Sequence, residues 1–231
     1  MADKDDGGAA MQTLIIVSHP DIDGSTSQAF LRATAALEPH TEWVHLDGLE
    51  PAARHQLWSR VQAADRIIFQ FPLYWYGAPA SLWAWLDDEW TDHQVSAARA
   101  GELRGKALGL VVTTGHPSAA FRVGGSENVT LDQLMVPFWS LARKAAMVPL
   151  PALYINDFAH QSDAARAQTY IQYRQLLSMP HPGAPAELAA WFAQRARALG
   201  DELTATELTD RDDELAQLRG VVGDLRRGDD D

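Results

Sequence analysis

With 231 residues, 46% of them hydrophobic, and a mean hydropathy of -0.22, the chain reads as one soluble globular domain, or one domain with an extension. It contains no cysteine, which excludes disulfides, thiol catalysis and cysteine-held metals or clusters. The net charge of -12 offers no basic surface to nucleic acid or to an anionic membrane.

That charge sits mostly at the ends. Gly200 to Asp231 holds 11 acids and 4 bases, and Met1 to Ala10 holds Asp3, Asp5 and Asp6 against Lys4. The N-terminal segment is acidic and glycine-rich, and is expected to be disordered over residues 1–10. It lacks the basic-then-apolar order of a secretory signal, so the cytoplasm is the expected location. No apolar run is long enough to span a bilayer.

In chain order, Gln12 to Val17 reads as a buried strand. The loop after it, Ser18 to Gln28, carries neither the lysine-bearing phosphate loop nor the dinucleotide fingerprint. Its hydroxyls and glycine, at the start of a helix expected over 25–37, suit a phosphate held by backbone amides. They suit an ordinary helix cap by Ser25 equally well. Phe30, Leu31, Thr34 and Leu37 are expected on one face of that helix. Thr41 to Leu46 alternates as a half-exposed strand, and Pro51 opens a helix to about Ala64.

Arg66 to Phe71 reads as a buried strand. It breaks at Pro72 into an aromatic turn, Leu73-Tyr74-Trp75-Tyr76-Gly77, before a helix from Pro79 to about Trp90. Such a turn makes a flat uncharged wall at the carboxyl edge of a sheet, where ligands bind in open α/β folds. The wall suits a planar conjugated ring such as a flavin; the same residues also fit a core strand with a surface aromatic cluster. The acids Asp87, Asp88 and Glu89, with Asp92 and His93, read as a solvated helix end rather than a metal site.

Lys106 to Thr113 is the next buried strand, followed by a glycine-rich loop from Thr114 to Asn128. Thr130 and Gln133 form a capping box for a helix that Pro137 interrupts. Leu153 to Ile155 is a last strand and Ser162 caps a helix to Ser178. Five strands alternating with helices predict an α/β fold, a doubly wound five-stranded parallel sheet covered on both faces. Residues 11–180 form this domain. The breakers at His181 to Pro185 separate it from a helical, acidic extension over 181–231, whose weak heptad trace through Leu208, Leu215 and Val222 reads as a short helix or a disordered tail.

The loops after strands one, three and four converge on the switch point of such a sheet. Their residues resemble the flavodoxin-like NAD(P)H:quinone oxidoreductase family, nearest to the bacterial branch with the ancillary flavoprotein of glutathione-gated potassium efflux systems. The marks are SHP at Ser18 to Pro20, SxSQ at Ser25 to Gln28, QFPLYWYGAP at Gln70 to Pro79, WLD at Trp85 to Asp87 and TTG at Thr113 to Gly115.

The resemblance implies the flavodoxin-like strand order 2-1-3-4-5 and a flavin, FMN or alternatively FAD. His19, Ser25, Ser27 and Gln28 would hold its phosphate side. Pro72, Leu73, Tyr74 and Trp75 would flank its ring, and Thr113, Thr114, Gly115 and His116 would bind its polar edge. Tyr76 and Phe121 are the candidate substrate contacts. The implied reaction is ping-pong: NADH or NADPH gives a hydride to the flavin, and a quinone-like acceptor takes it. A homodimer is implied, with the tryptophans Trp83, Trp85 and Trp90 as a compatible face, and a membrane transporter is a possible partner. His116 stands where relatives have a second glycine. The tyrosine and histidine that manage charge in vertebrate members fall on Phe121 and near Glu127. His116 is the remaining candidate for proton transfer, or else a hydrogen-bonding spacer.

Overall fold

The apolar runs become the strands of a parallel sheet in a computed structural model that describes residues 10–91, 94 and 102–228. β1 (Thr13–Val17), β2 (Thr41–His45), β3 (Arg66–Pro72) and β4 (Ala107–Thr114) pair in the order β2-β1-β3-β4, all parallel. Every residue of β1 and β3 is buried, as expected of strands covered on both faces.

The expected fifth strand is divided. β5 (Val148–Pro149) and β6 (Leu153–Asn156) each pair with β4, one after the other along it. Pro149 and Pro151 have no N–H to donate to a ladder, so pairing stops between the two segments. The sheet therefore has six strands in the expected order, with its fifth position shared.

Among the described residues, six α-helices complete this first unit, Met1–Ser178. They are α1 (Thr26–Ala35), α2 (Pro51–Ala63), α3 (Ala80–Glu89), α4 (Leu131–Leu134), α5 (Val136–Lys144) and α6 (Asp163–Ser178). On one face Leu31 of α1 and Tyr173, Leu176 and Leu177 of α6 pack on Ile15, Val17, Ile68 and Val111. On the other, Leu57 of α2, Leu82 and Leu86 of α3 and Phe138 of α5 pack on Leu14, Ile16, Phe69 and Leu110. Thr130 and Gln133 form the expected capping box, and α4 gives way to α5 just before Pro137.

Three expectations need correction. Leu37 lies past the end of α1 and is exposed. Trp85 and Trp90 are buried against Phe69, and Trp83 stacks on Phe138 at 5.0 Å, so this tryptophan face belongs mostly to the core and is not a free dimer surface. Glu89 is buried and bonded to the His55 imidazole, while Asp87 and Asp88 are solvated as expected. Asp92 and His93 lie outside the described residues, as do residues 1–9, and no metal-binding cluster occurs among those described.

The second unit, Met179–Asp231, is a pair of helices packed on each other, α7 (Pro185–Ala198) and α8 (Glu202–Gly228). Pro185 opens α7, and Gly200, at φ 80°, makes the turn between them. Glu202–Gly228 of the acidic extension thus form one helix of 27 residues, longer than the short helix expected. Leu215 of the heptad trace is exposed, as is Leu218 beside it. Among the described residues no helix is long and apolar enough to cross a membrane.

Candidate functional site

The sheet order reverses between β1 and β3, and the loops that leave their carboxyl ends face each other there. The first loop is anchored from three sides. Ser18 donates its N–H to the Gln70 carbonyl (3.0 Å) and shares a hydroxyl contact with Ser81 at the start of α3 (2.6 Å). The His19 N–H donates to Asp47 (2.8 Å), and His45 Nε2 donates to the His19 carbonyl (2.9 Å). The end of β2 and the turn after it therefore hold His19 in place.

The His19 ring is buried, and its Nδ1 accepts from the Asp21 N–H (3.2 Å). This leaves Nε2 as the protonated nitrogen of the neutral ring, a donor. Burial pushes the imidazole pKa below its ordinary value; Asp21 pulls it back up, His45 lowers it further, and Asp47 raises it.

Ser25 caps α1, its hydroxyl accepting from the Gln28 N–H (3.3 Å) and touching the Ser27 hydroxyl (3.2 Å). The helix carries no acid in its first turn, so its positive end is not neutralised from within. Gln28 begins a buried chain of side-chain bonds. Tyr173 donates to Gln70 Oε1 (2.6 Å), and Gln70 Nε2 donates to Gln28 Oε1 (2.7 Å). Gln28 Nε2 then has no hydrogen-bond partner among the described residues, although Gln28 is 1% exposed. A buried donor without an acceptor costs about 1–3 kcal/mol, which a ligand oxygen would recover.

The second loop is a tight hairpin. Tyr74 and Gly77 exchange N–H to carbonyl bonds (2.9 and 3.0 Å), and the residues between them, Trp75 and Tyr76, both have positive φ, 48° and 67°. Left-handed backbone at a bulky residue costs on the order of 1–3 kcal/mol and is concentrated at functional sites. The turn lifts Trp75 out to 96% exposure, beside Tyr74 and Tyr76, while Pro72 is buried and Leu73 half-buried. The Tyr74 ring lies 6.4 Å from the His19 ring, which joins the first two loops.

The third loop meets the second through the Leu73 N–H, which donates to the Thr113 carbonyl (2.8 Å). Thr114 Oγ1 donates to the His116 carbonyl (2.8 Å) and accepts from its N–H (3.2 Å), folding the chain tightly around Gly115. Nothing lies within 4 Å of where a Cβ on Gly115 would be, so this backbone is open to a ligand. The His116 ring is exposed and 6.4 Å from the ring of Phe121. Phe121 itself is buried among Ala120, Leu131 and Leu73, so it supports the loop from beneath and contributes an edge at most.

These loops bring nearly all the residues singled out from sequence to one edge of the sheet. The residues present fit a flavin on three counts. An unpartnered buried donor stands at a helix N-terminus, an exposed aromatic turn follows β3, and backbone open to a ligand lies at Gly115. Sequence reading missed His45, Asp47, Ser81, Gln70, Tyr173 and Asn156, the last of which contacts Thr114 Oγ1 at 3.3 Å. Gln70 alone left a trace, as the first residue of the QFPLYWYGAP motif.

The sequence profile of a family described as "Flavodoxin-like fold" matches residues 11–177. "Uncharacterized NAD(P)H oxidoreductase YrkL" of Bacillus subtilis is 32% identical over 66% of this chain and 89% of its own length. The glutathione-regulated potassium-efflux system ancillary protein KefG of Cronobacter sakazakii is 28% identical over 73% of this chain and 94% of its own. Among solved structures, an NADPH-quinone reductase from P. pentosaceus is 36% identical with a TM-score of 0.66, over 73% of this chain and 99% of that one. General stress protein 14 of Treponema denticola, solved in complex with FMN, is 25% identical with a TM-score of 0.60, over 72% and 95%.

Proposed function

The chain belongs to the flavodoxin-like fold family, and we propose that it is an NAD(P)H-dependent oxidoreductase that works through bound FMN, with FAD as the alternative. The observation that carries this reading is the Gln28 amide, buried at the N-terminus of α1 with no hydrogen-bond partner for its Nε2 among the described residues. The FMN complex of general stress protein 14 and the NADPH-quinone reductase support the choice of cofactor and electron donor.

In this reading His19, Ser25, Ser27 and Gln28 hold the phosphate side. The donors are the His19 Nε2–H, the serine hydroxyls, the first-turn amides of α1 and the Gln28 amide. Pro72, Leu73, Tyr74 and Trp75 form the wall against the ring, and Thr113, Thr114, Gly115 and His116 supply backbone and hydroxyl groups to its polar edge. Tyr76 lines the substrate side and Phe121 backs it. A bound flavin supplies a two-electron carrier that accepts a hydride from nicotinamide and passes it to a quinone-like acceptor in a ping-pong exchange. The protein's part is to orient both partners and keep water from the ring. His116, exposed in this loop, is the candidate for proton transfer in this reading. A homodimer completes the reading, with the exposed Trp75 and Tyr76 as part of its surface.

Anaerobic addition of NADH or NADPH to the flavin-loaded protein should bleach its visible bands, and a quinone should restore them. Bands that persist under both donors would exclude the oxidoreductase reading. The likeness to the potassium-efflux ancillary protein favours one second reading, a flavin-bound regulatory subunit of a cation-efflux transporter. It predicts co-purification with such a transporter, and the two readings are compatible.

A further inference from the structure

Two consecutive left-handed aromatic residues persist only where the surroundings over-determine them. The Tyr74–Gly77 backbone pair is one restraint. The second is a side chain from another loop: the Tyr76 hydroxyl donates to Glu127 Oε2 at 2.9 Å. Glu127 is held in turn. The Ser126 hydroxyl donates to its Oε1 (3.3 Å), and its N–H donates to the Ala120 carbonyl (3.1 Å). The loop is folded so closely there that a Cβ on Gly125 would lie 2.3 Å from the Ala120 oxygen. Both carboxylate oxygens are thus engaged, and the aromatic turn is tied to the loop after β4 across 51 residues of sequence.

The tie has a chemical consequence. The one proton of the Tyr76 hydroxyl is committed to Glu127, which leaves the phenol oxygen only lone pairs to offer, and an ionised carboxylate is acceptor-only. Glu127 also raises the Tyr76 pKa, so the phenol stays protonated and the tie stays made through neutral pH.

We propose that Glu127 is a positioning residue: through Tyr76 it fixes the aromatic turn, and the tied pair presents acceptors that orient a ligand bearing an N–H donor. Resting on the function proposed above, that ligand is the carboxamide of the nicotinamide donor. A quinone has only carbonyl acceptors and gains nothing from the pair. Glu127 therefore discriminates between the two substrates that share the site.

The full-length variants Glu127→Ala, Glu127→Gln and Tyr76→Phe test this with two readouts. The first needs no flavin. In an alkaline ultraviolet titration, one phenol should ionise at lower pH in Glu127→Ala than in the unaltered chain. The second uses the flavin-loaded protein. KM for the nicotinamide donor should rise about five- to tenfold in Glu127→Ala and Tyr76→Phe, the loss of about one ordinary hydrogen bond, while KM for the quinone stays within about twofold. Glu127→Gln keeps an acceptor for the tyrosine and should restore most of the affinity. The double variant should cost no more than either single one. An unchanged phenol titration, or equal rises in both KM values, would overturn the proposal. If the unaltered protein takes up no flavin the proposed function fails, and the phenol titration still decides whether Glu127 holds Tyr76.

Discussion

His19 couples the site to pH through its burial. The folded chain holds its imidazole below the ordinary value of 6.5, so between the two pKa values the folded state binds fewer protons than the unfolded one. The stability this contributes is complete above about pH 6.5 and is lost as pH falls through the folded pKa. Denaturant unfolding at about pH 7.5 and about pH 5.5 should therefore show a smaller acid-side loss in His19→Gln than in the unaltered chain. Equal losses would mean that His19 is not the buried neutral group described. Tyr173 gives a second residue-scale prediction. Tyr173→Phe leaves Gln70 Oε1 buried without its donor, so the unfolding free energy should fall by about 1–3 kcal/mol, measured by denaturant titration. Neither effect was legible in the sequence. Tyr173, Gln70 and Gln28 are separated by 103 and 42 residues, and only the closed sheet lines up their side chains. The hydroxyls and glutamine of the first loop were legible because they stand together at a helix start, where the need for caps and donors is local.

At the scale of elements, most of the fold follows from local rules. β1, β3 and β4 were visible as apolar runs, α2 as a helix opened by proline, and the α4–α5 boundary as a capping box followed by Pro137. What failed were the places where tertiary contact overrides pattern. Leu37 continues the apolar spacing of α1, but the helix has already ended at Ala36. Glu89 reads as solvated but is buried beside His55, a partner 34 residues away. The fifth strand reads as one segment because prolines break the pairing without changing the hydrophobic pattern. The loop after β4 is the element whose shape matters most to the site. Gly125→Ala places a carbon where the Ala120 carbonyl already sits, so the loop must open. Turnover should fall at least about tenfold while the melting temperature of the domain changes by only a few degrees, since exposed loops contribute little to global stability. A large drop in melting temperature with normal turnover would contradict this account of the loop.

At the scale of the molecule, the family match ends at residue 177 and the first compact unit at Ser178. The site residues named above all belong to that unit. A chain ending at Ser178 should therefore fold and take up flavin with an affinity within about threefold of the full chain; a tenfold difference is about 1.4 kcal/mol. The acidic helical pair beyond it would then serve something other than cofactor binding. The breaker cluster at His181 to Pro185 follows this division closely, since glycine and proline punctuate chains locally. The length of α8 was not legible, because a helix rich in acids and interrupted by glycines carries no strong periodic signal. The central claim is that three loops at the switch point hold a flavin, and the visible absorption spectrum of the purified protein tests it most directly. The account predicts yellow protein, or apoprotein that turns yellow with added FMN, binds it one to one and releases FMN on denaturation. A colourless protein that quenches no flavin fluorescence when titrated with FMN or FAD would contradict it.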